Sequence, residues 1–178
     1  MSAAHRVSRR LSRRRFAAGA LLAACLPALA RATGAPAPTV EVWKDPSCGC
    51  CKEWVAHLEK AGFKVTVSDT GNNAARGRLG IDPKYGSCHT GLVAGYALEG
   101  HVPAREIKRL LAEKPVALGL AVPRMPVGSP GMDGPEYGGR KDAYDVLLLA
   151  KGGSSRVYQH YEGGARASSP ATGKGHTH

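Results

Sequence analysis

From Thr39 onward, apolar and polar positions first alternate and then adopt a helical period, and this switch recurs along the chain. Residues 39–44 (Thr-Val-Glu-Val-Trp-Lys) alternate and are β-branched or aromatic, which predicts a strand. Asp45-Pro46-Ser47 breaks it. From Cys51 to Ala61 the period lengthens. Trp54, Val55, Leu58 and Ala61 share one helical face, while Lys52, Glu53, His57 and Lys60 fall largely outside it. Gly62 stops the helix, and alternation over 63–68 predicts a second strand. A strand–helix–strand unit this short sets its two strands parallel.

Further on the pattern is more broken. Residues 72–80 predict a weak helix, 82–86 a turn, and 89–94 and 96–98 two short strands around Gly95. Pro103 suits the first position of a helix over 104–113, because its missing N–H would have no partner there. Ala104, Ile107, Leu110 and Leu111 would form its buried face, and Pro115 ends it. Residues 119–139 are rich in Gly and Pro and too long for a simple connector, so they read as a functional or unordered loop. Residues 144–149 and 156–161 flank Gly152-Gly153 and predict a hairpin. Trp43 and Trp54 read as core, Tyr158 and Tyr161 as hairpin packing. Alternating strands and helices make the fold class α/β.

Composition sets the limits. A length of 178 residues suits one domain with appendages, and 43% hydrophobic with 22% charged residues suits a packed core. No apolar run reaches the roughly 18–20 residues of a transmembrane helix. The net charge of +11 is uneven: seven of the 25 basic residues lie in 1–32, leaving 18 against 14 acids. Those 18 are scattered, whereas a nucleic-acid binder presents a clustered basic face, so no nucleic-acid partner is expected.

Residues 1–32 read as a cleaved export signal. Ser12-Arg13-Arg14-Arg15-Phe16 resembles the twin-arginine motif, with a general secretory signal as the alternative. An apolar stretch to Leu26 follows, then Ala28-Leu29-Ala30 and Ala30-Arg31-Ala32 as cleavage sites. Leu22-Ala23-Ala24-Cys25 also resembles a lipoprotein box, in which Cys25 would carry the lipid. The expected organisation is a linker at 33–38, a folded domain at 39–162 and a disordered Gly/Ser-rich tail at 163–178, with the mature protein in the periplasm.

Four cysteines remain for the domain: Cys48, Cys50, Cys51 and Cys88. Cys48 and Cys51 have C-x-x-C spacing, that of a redox dithiol. Cys48 and Cys50 have C-x-C spacing, which lets two sulfurs reach one soft ion. All three precede or open a helix, whose N-terminus stabilises thiolates. Cys88 lies 37 residues past Cys51, in Ser87-Cys88-His89-Thr90. Three or four converging thiolates suit Cu(I) or Zn(II). Two alternatives stay open: a metal-independent thiol–disulfide oxidoreductase using Cys48 and Cys51, and structural disulfides pairing Cys48 or Cys51 with Cys88.

Ordered runs across residues 40–161 resemble a known family. They are Lys44 through Cys51, Trp54, His57-Leu58 and Gly62-Phe63, then Ser87-Cys88-His89-Thr90, Gly95-Tyr96 and Glu99 through Ala104. Gly119 through Pro123, Met125-Pro126 and Gly128 through Met132 complete them. The chain resembles the exported, copper-resistance-associated C-x-C-C proteins (CopG-like, long filed as a domain of unknown function). Arg124, where that family usually has Gly, and the segment 72–86 depart from its pattern.

The resemblance implies a thioredoxin-like core with a C-terminal loop-and-hairpin extension, from about residue 116, folded over the cysteine end of the first helix. It implies a periplasmic copper-binding protein that holds Cu(I) in a multinuclear thiolate cluster and interconverts Cu(I) and Cu(II). Partners would be copper ions and a periplasmic copper exporter or chaperone. Zinc is the alternative ion. Beyond Cys48, Cys50, Cys51 and Cys88, the expected ligands are His89, adjacent to Cys88, and the thioethers of Met125 and Met132. His57 lies roughly 10 Å along the helix from the cysteines, too far to ligate. His101 reads as a structural hydrogen-bonder, and His176 and His178 as solvated.

Overall fold

The computed structural model describes residues 37–164. The expected export signal, Cys25, His176 and His178 lie outside the described residues. Within them, β1 (Thr39–Lys44) pairs in parallel with β2 (Lys64–Ser68), and α1 (Gly49–Lys60) makes the crossover. After α2 (Asn73–Arg78), β3 (His89–Val93) and β4 (Tyr96–Glu99) form a hairpin beside β1. After α3 (Ala104–Glu113), β5 (Gly119–Ala121) pairs in parallel with β4. The hairpin of β6 (Tyr144–Leu149) and β7 (Ser155–Tyr161) then extends the sheet antiparallel to β5. The result is one seven-stranded mixed sheet in the order β2-β1-β3-β4-β5-β6-β7, an α/β fold.

Alternate strand residues face opposite sides of the sheet. Leu98, Leu120 and Leu148 join one apolar cluster with Val40, Val42, Trp54, Leu58, Ile107 and Leu110, so α1 and α3 pack on that face. Ala97, Ala121 and Leu149 point the other way, onto Ile81 and Tyr85. The hairpin is also tied to α3 by polar contacts: Tyr161 donates to the buried Glu106 at 3.0 Å and Tyr158 to Glu113 at 2.8 Å. No described helix is long and apolar enough to cross a membrane.

Several expectations need correction. The stretch 119–139 is not all loop, because its first three residues form β5. Pairing on both sides makes that strand, and a Cβ at Gly119 would overlap the Ala97 backbone. Pro103 does not open α3 from within. It sits before it with extended backbone (φ −63°, ψ 139°) and Ala104 is the first helical residue. α3 buries Glu106 where Leu111 was expected, since Tyr161 and two arginines compensate the carboxylate. Trp43 is half-buried rather than core, with the Arg78 guanidinium 4.9 Å from its ring centre. Ordered pairing continues past 162, where Gly164 and Lys141 exchange two backbone hydrogen bonds.

Candidate metal centre

The turn after β1 delivers the first three cysteines to the start of α1. The Asp45 carboxylate accepts from the Ser47 backbone N–H at 2.8 Å, and the Cys48 N–H reaches the Asp45 carbonyl at 3.1 Å. Cys48 is the N-cap, with extended backbone and no side-chain cap. Cys50 and Cys51 lie in the first turn, which contains no acid. The free N–H groups and positive dipole end there favour anionic sulfur.

Cys88 comes from the strand end beside them and is held by a buried clamp. The Glu99 carboxylate is fully buried and accepts three hydrogen bonds. They come from Arg76 Nε (2.9 Å), the Ser87 N–H (2.7 Å) and the Thr90 hydroxyl (2.6 Å), and Arg76 Nη2 completes an ion pair at 2.7 Å. The Ser87 carbonyl accepts from Arg76 and from Asn72. Both flanks of Cys88-His89 are therefore fixed by one carboxylate.

The sulfurs of Cys48, Cys50, Cys51 and Cys88 all lie within 4.8 Å of one another. Cys50 Sγ is 3.5 Å from Cys48 Sγ and 3.8 Å from Cys88 Sγ. Cys48 and Cys51 are joined as a disulfide, while Cys50 and Cys88 are free thiols. Disulfides of either C-x-x-C cysteine with Cys88, one expectation from the sequence, are not formed. Burial, reinforced by Cys50, pushes the Cys88 thiol up to about 12, so it is neutral until a cation displaces its proton.

Two histidines share Cys88. His101 Nε2 lies 3.1 Å and His89 Nδ1 3.3 Å from its sulfur, and the three donor atoms form a second compact group. His101 Nδ1 donates to the Pro130 carbonyl at 2.8 Å, which turns the Nε2 lone pair toward the sulfur. Burial lowers the pKa of both rings, far below the usual value for His89, so both are neutral donors. The His89 ring lies 4.2 Å from that of Trp54, tilted by 34°, and its Nε2 is buried with no hydrogen-bond partner.

The structure brings together Cys48, Cys50, Cys51, Cys88 and His89. It adds His101, which the sequence reading set aside. The segment 130–134 covers the start of α1: Gly131, at φ +86°, approaches so closely that a Cβ would lie 2.6 Å from the Cys50 carbonyl. Met132 is next to it, half-buried, and its sulfur accepts from the Tyr137 hydroxyl at 3.3 Å. Met125 is 47% exposed and lines a cavity with Arg124, Asp142, Tyr144 and Asp145 that no cysteine borders. His57 serves elsewhere: its Nε2 accepts the Ala104 N–H at 3.0 Å and caps α3.

Residues 85–132 match a family described as a protein of unknown function, DUF411. Two solved structures of a copper resistance protein CopG, form 1 and form 2, are each 46% identical to this chain. Both superpose with a TM-score of 0.65, over 71% of this chain and 98–99% of theirs. The chain belongs to the CopG-like copper-resistance family. No curated protein matches it. The family match in 85–132 spans Cys88, His89 and His101 and ends within the segment that closes over α1, while the three clustered cysteines lie upstream of it. Arg124, where the resemblance led us to expect glycine, has φ +64°, a left-handed backbone that glycine adopts at no steric cost.

Proposed function

We propose that this chain is an exported copper-binding protein of copper resistance that holds Cu(I) in a thiolate cluster. Cys48, Cys50, Cys51 and Cys88 supply the sulfurs, His89 and His101 supply neutral nitrogen, and Met132 is a further candidate donor. The observation that carries this reading is the meeting of four sulfurs from two distant stretches within 4.8 Å. Soft, closely spaced thiolates suit Cu(I) and can bridge more than one ion. The two solved relatives are copper resistance proteins by name, which supports copper over zinc. The strand order β2-β1-β3-β4, with its cysteines at the start of the crossover helix, supports a thioredoxin-like core. The arginine-rich start supports periplasmic delivery by the twin-arginine route.

The test is anaerobic Cu(I) titration of the reduced protein. Saturable binding that falls in Cys48→Ser/Cys88→Ser is expected. Unchanged stoichiometry in that double variant would refute the site, and zinc rather than copper in protein purified without added metal would refute the ion.

A second reading has its own observation. The Cys48–Cys51 disulfide is the pairing that a metal-independent thiol–disulfide oxidoreductase needs. That reading predicts insulin-reduction turnover indifferent to Cys50, Cys88 and copper.

A further inference from the structure

We propose that Lys44 is a positioning residue of the metal centre: its buried ammonium fixes the turn that presents Cys48 and fastens that turn to the end of β2. The role rests on the copper reading above for the ion served, and on backbone geometry for how it is served. Val40, Val42 and Lys44 share one face of β1, since alternate strand residues point the same way. The two valines belong to the core, and Lys44, 3% exposed, is buried beyond them. Every other described lysine is exposed. A buried ammonium has lost its water and persists only where partners replace it. Lys44 Nζ has two: the Asp69 carboxylate at 2.6 Å and the Asp45 carbonyl at 3.0 Å.

The Asp45 carbonyl is the decisive partner. It also accepts the Cys48 N–H at 3.1 Å, so ammonium and cysteine backbone converge on one oxygen. The Asp45 carboxylate shapes the turn from within, by accepting from Ser47. Lys44 carries the restraint outside the turn, to Asp69 just past β2. The Lys44 carbonyl adds a second tie there by accepting the Gly71 N–H at 2.9 Å. In the β1–β3 register Lys44 stands opposite His89, the neighbour of Cys88. One residue is thus bonded to the turn that carries the first cysteine and paired with the strand that carries the last. Its loss leaves Cys88 beside a paired strand and releases Cys48.

Position and stability are separable here. Asp69 is 54% exposed, so removing the ammonium strands no buried charge. Methionine has a similar reach and fills the slot with apolar atoms. Exchanging a buried ionic group for a well-packed apolar one is commonly neutral or stabilising.

The experiment compares the parent, Lys44→Met and Lys44→Arg as full, reduced chains. Three quantities are read: the urea midpoint, hydrogen exchange of the Cys48 amide by NMR, and the rate at which loaded protein yields Cu(I) to a chromogenic cuprous chelator. Lys44→Met is expected to keep its midpoint, yet to exchange the Cys48 amide and lose Cu(I) each about tenfold faster. Lys44→Arg keeps charge and donor and should restore both. Asp69→Asn weakens the same anchor from the exposed side and should shift both in the same direction, by less, which decides the matter if Lys44→Met does not fold. Unchanged Cys48 exchange and unchanged Cu(I) loss in the folded Lys44→Met overturn the proposal. So does a fall in its midpoint with exchange raised evenly across the chain, since that is a merely structural lysine. A reduced parent that binds no Cu(I) refutes the copper reading, and the Cys48 amide still decides what Lys44 holds.

Discussion

Glu99→Ala is the substitution from which the structure predicts the largest loss. The carboxylate is fully buried and gathers Arg76, the Ser87 N–H and the Thr90 hydroxyl at 2.6–2.9 Å. Removing it strands a guanidinium that is only 14% exposed, together with two other donors. Breaking a buried ion pair from one side costs about 3–5 kcal/mol. Urea denaturation of the reduced protein reads this directly. With a slope near 2 kcal/mol per molar, the midpoint should fall by about 2 M. The companion variant Arg76→Met/Glu99→Leu removes both charges and fills the space. It should recover about half the loss, because what remains is the lost partners of Ser87 and Thr90. Cys88 should alkylate faster in Glu99→Ala, since both its flanks are released. A loss under about 1 kcal/mol, or a companion no more stable than the single variant, would refute the buried-charge reasoning.

Three further outcomes follow from single positions. Gly131→Ala would set a methyl 2.6 Å from the Cys50 carbonyl and 2.9 Å from the Trp54 N–H, both rigid backbone, at a backbone of φ +86°. It should cost about 1–3 kcal/mol and raise Cys50 reactivity toward alkylating reagents. Arg124→Gly relieves a left-handed arginine and should raise stability by about 1 kcal/mol in the same denaturation assay. His57 has its pKa lowered, chiefly by burial, and accepts a hydrogen bond only when neutral. A folded value below the unfolded one means stability is present above about pH 6.5 and is lost as pH falls. His57→Gln keeps an acceptor that does not titrate, so its stability should decline less between about pH 6.5 and 4.5 than the parent's.

The strand–helix–strand half was legible because β1, α1 and β2 each carry a clean period. Cys48, Cys50 and Cys51 were legible through local spacing alone. Cys88 joined them on chemistry, and the fold supplied the reason: β3 lies beside β1, so its start meets the start of α1. β5 was hidden because three residues carry no period, and its neighbours alone make it a strand. The pairing Cys48–Cys51 was not decidable from spacing, since every cysteine there can in principle reach two others. His101 was missed although a signal existed. The hairpin register pairs Val93 with Tyr96 and Thr90 with Glu99, and the same run continued outward sets 88 against 101.

That hairpin also constrains the chain in a place where proteins usually tolerate change. The tight bend at Ala94-Gly95 lies at the far end of β3 and β4 from Cys88 and His101, yet its length decides whether sulfur and imidazole stay abreast. Adding or deleting one residue there slides one strand a step against the other and exchanges its two faces. The pairing of Cys88 with His101 therefore depends on the length of a distant surface corner as well as on the two residues themselves.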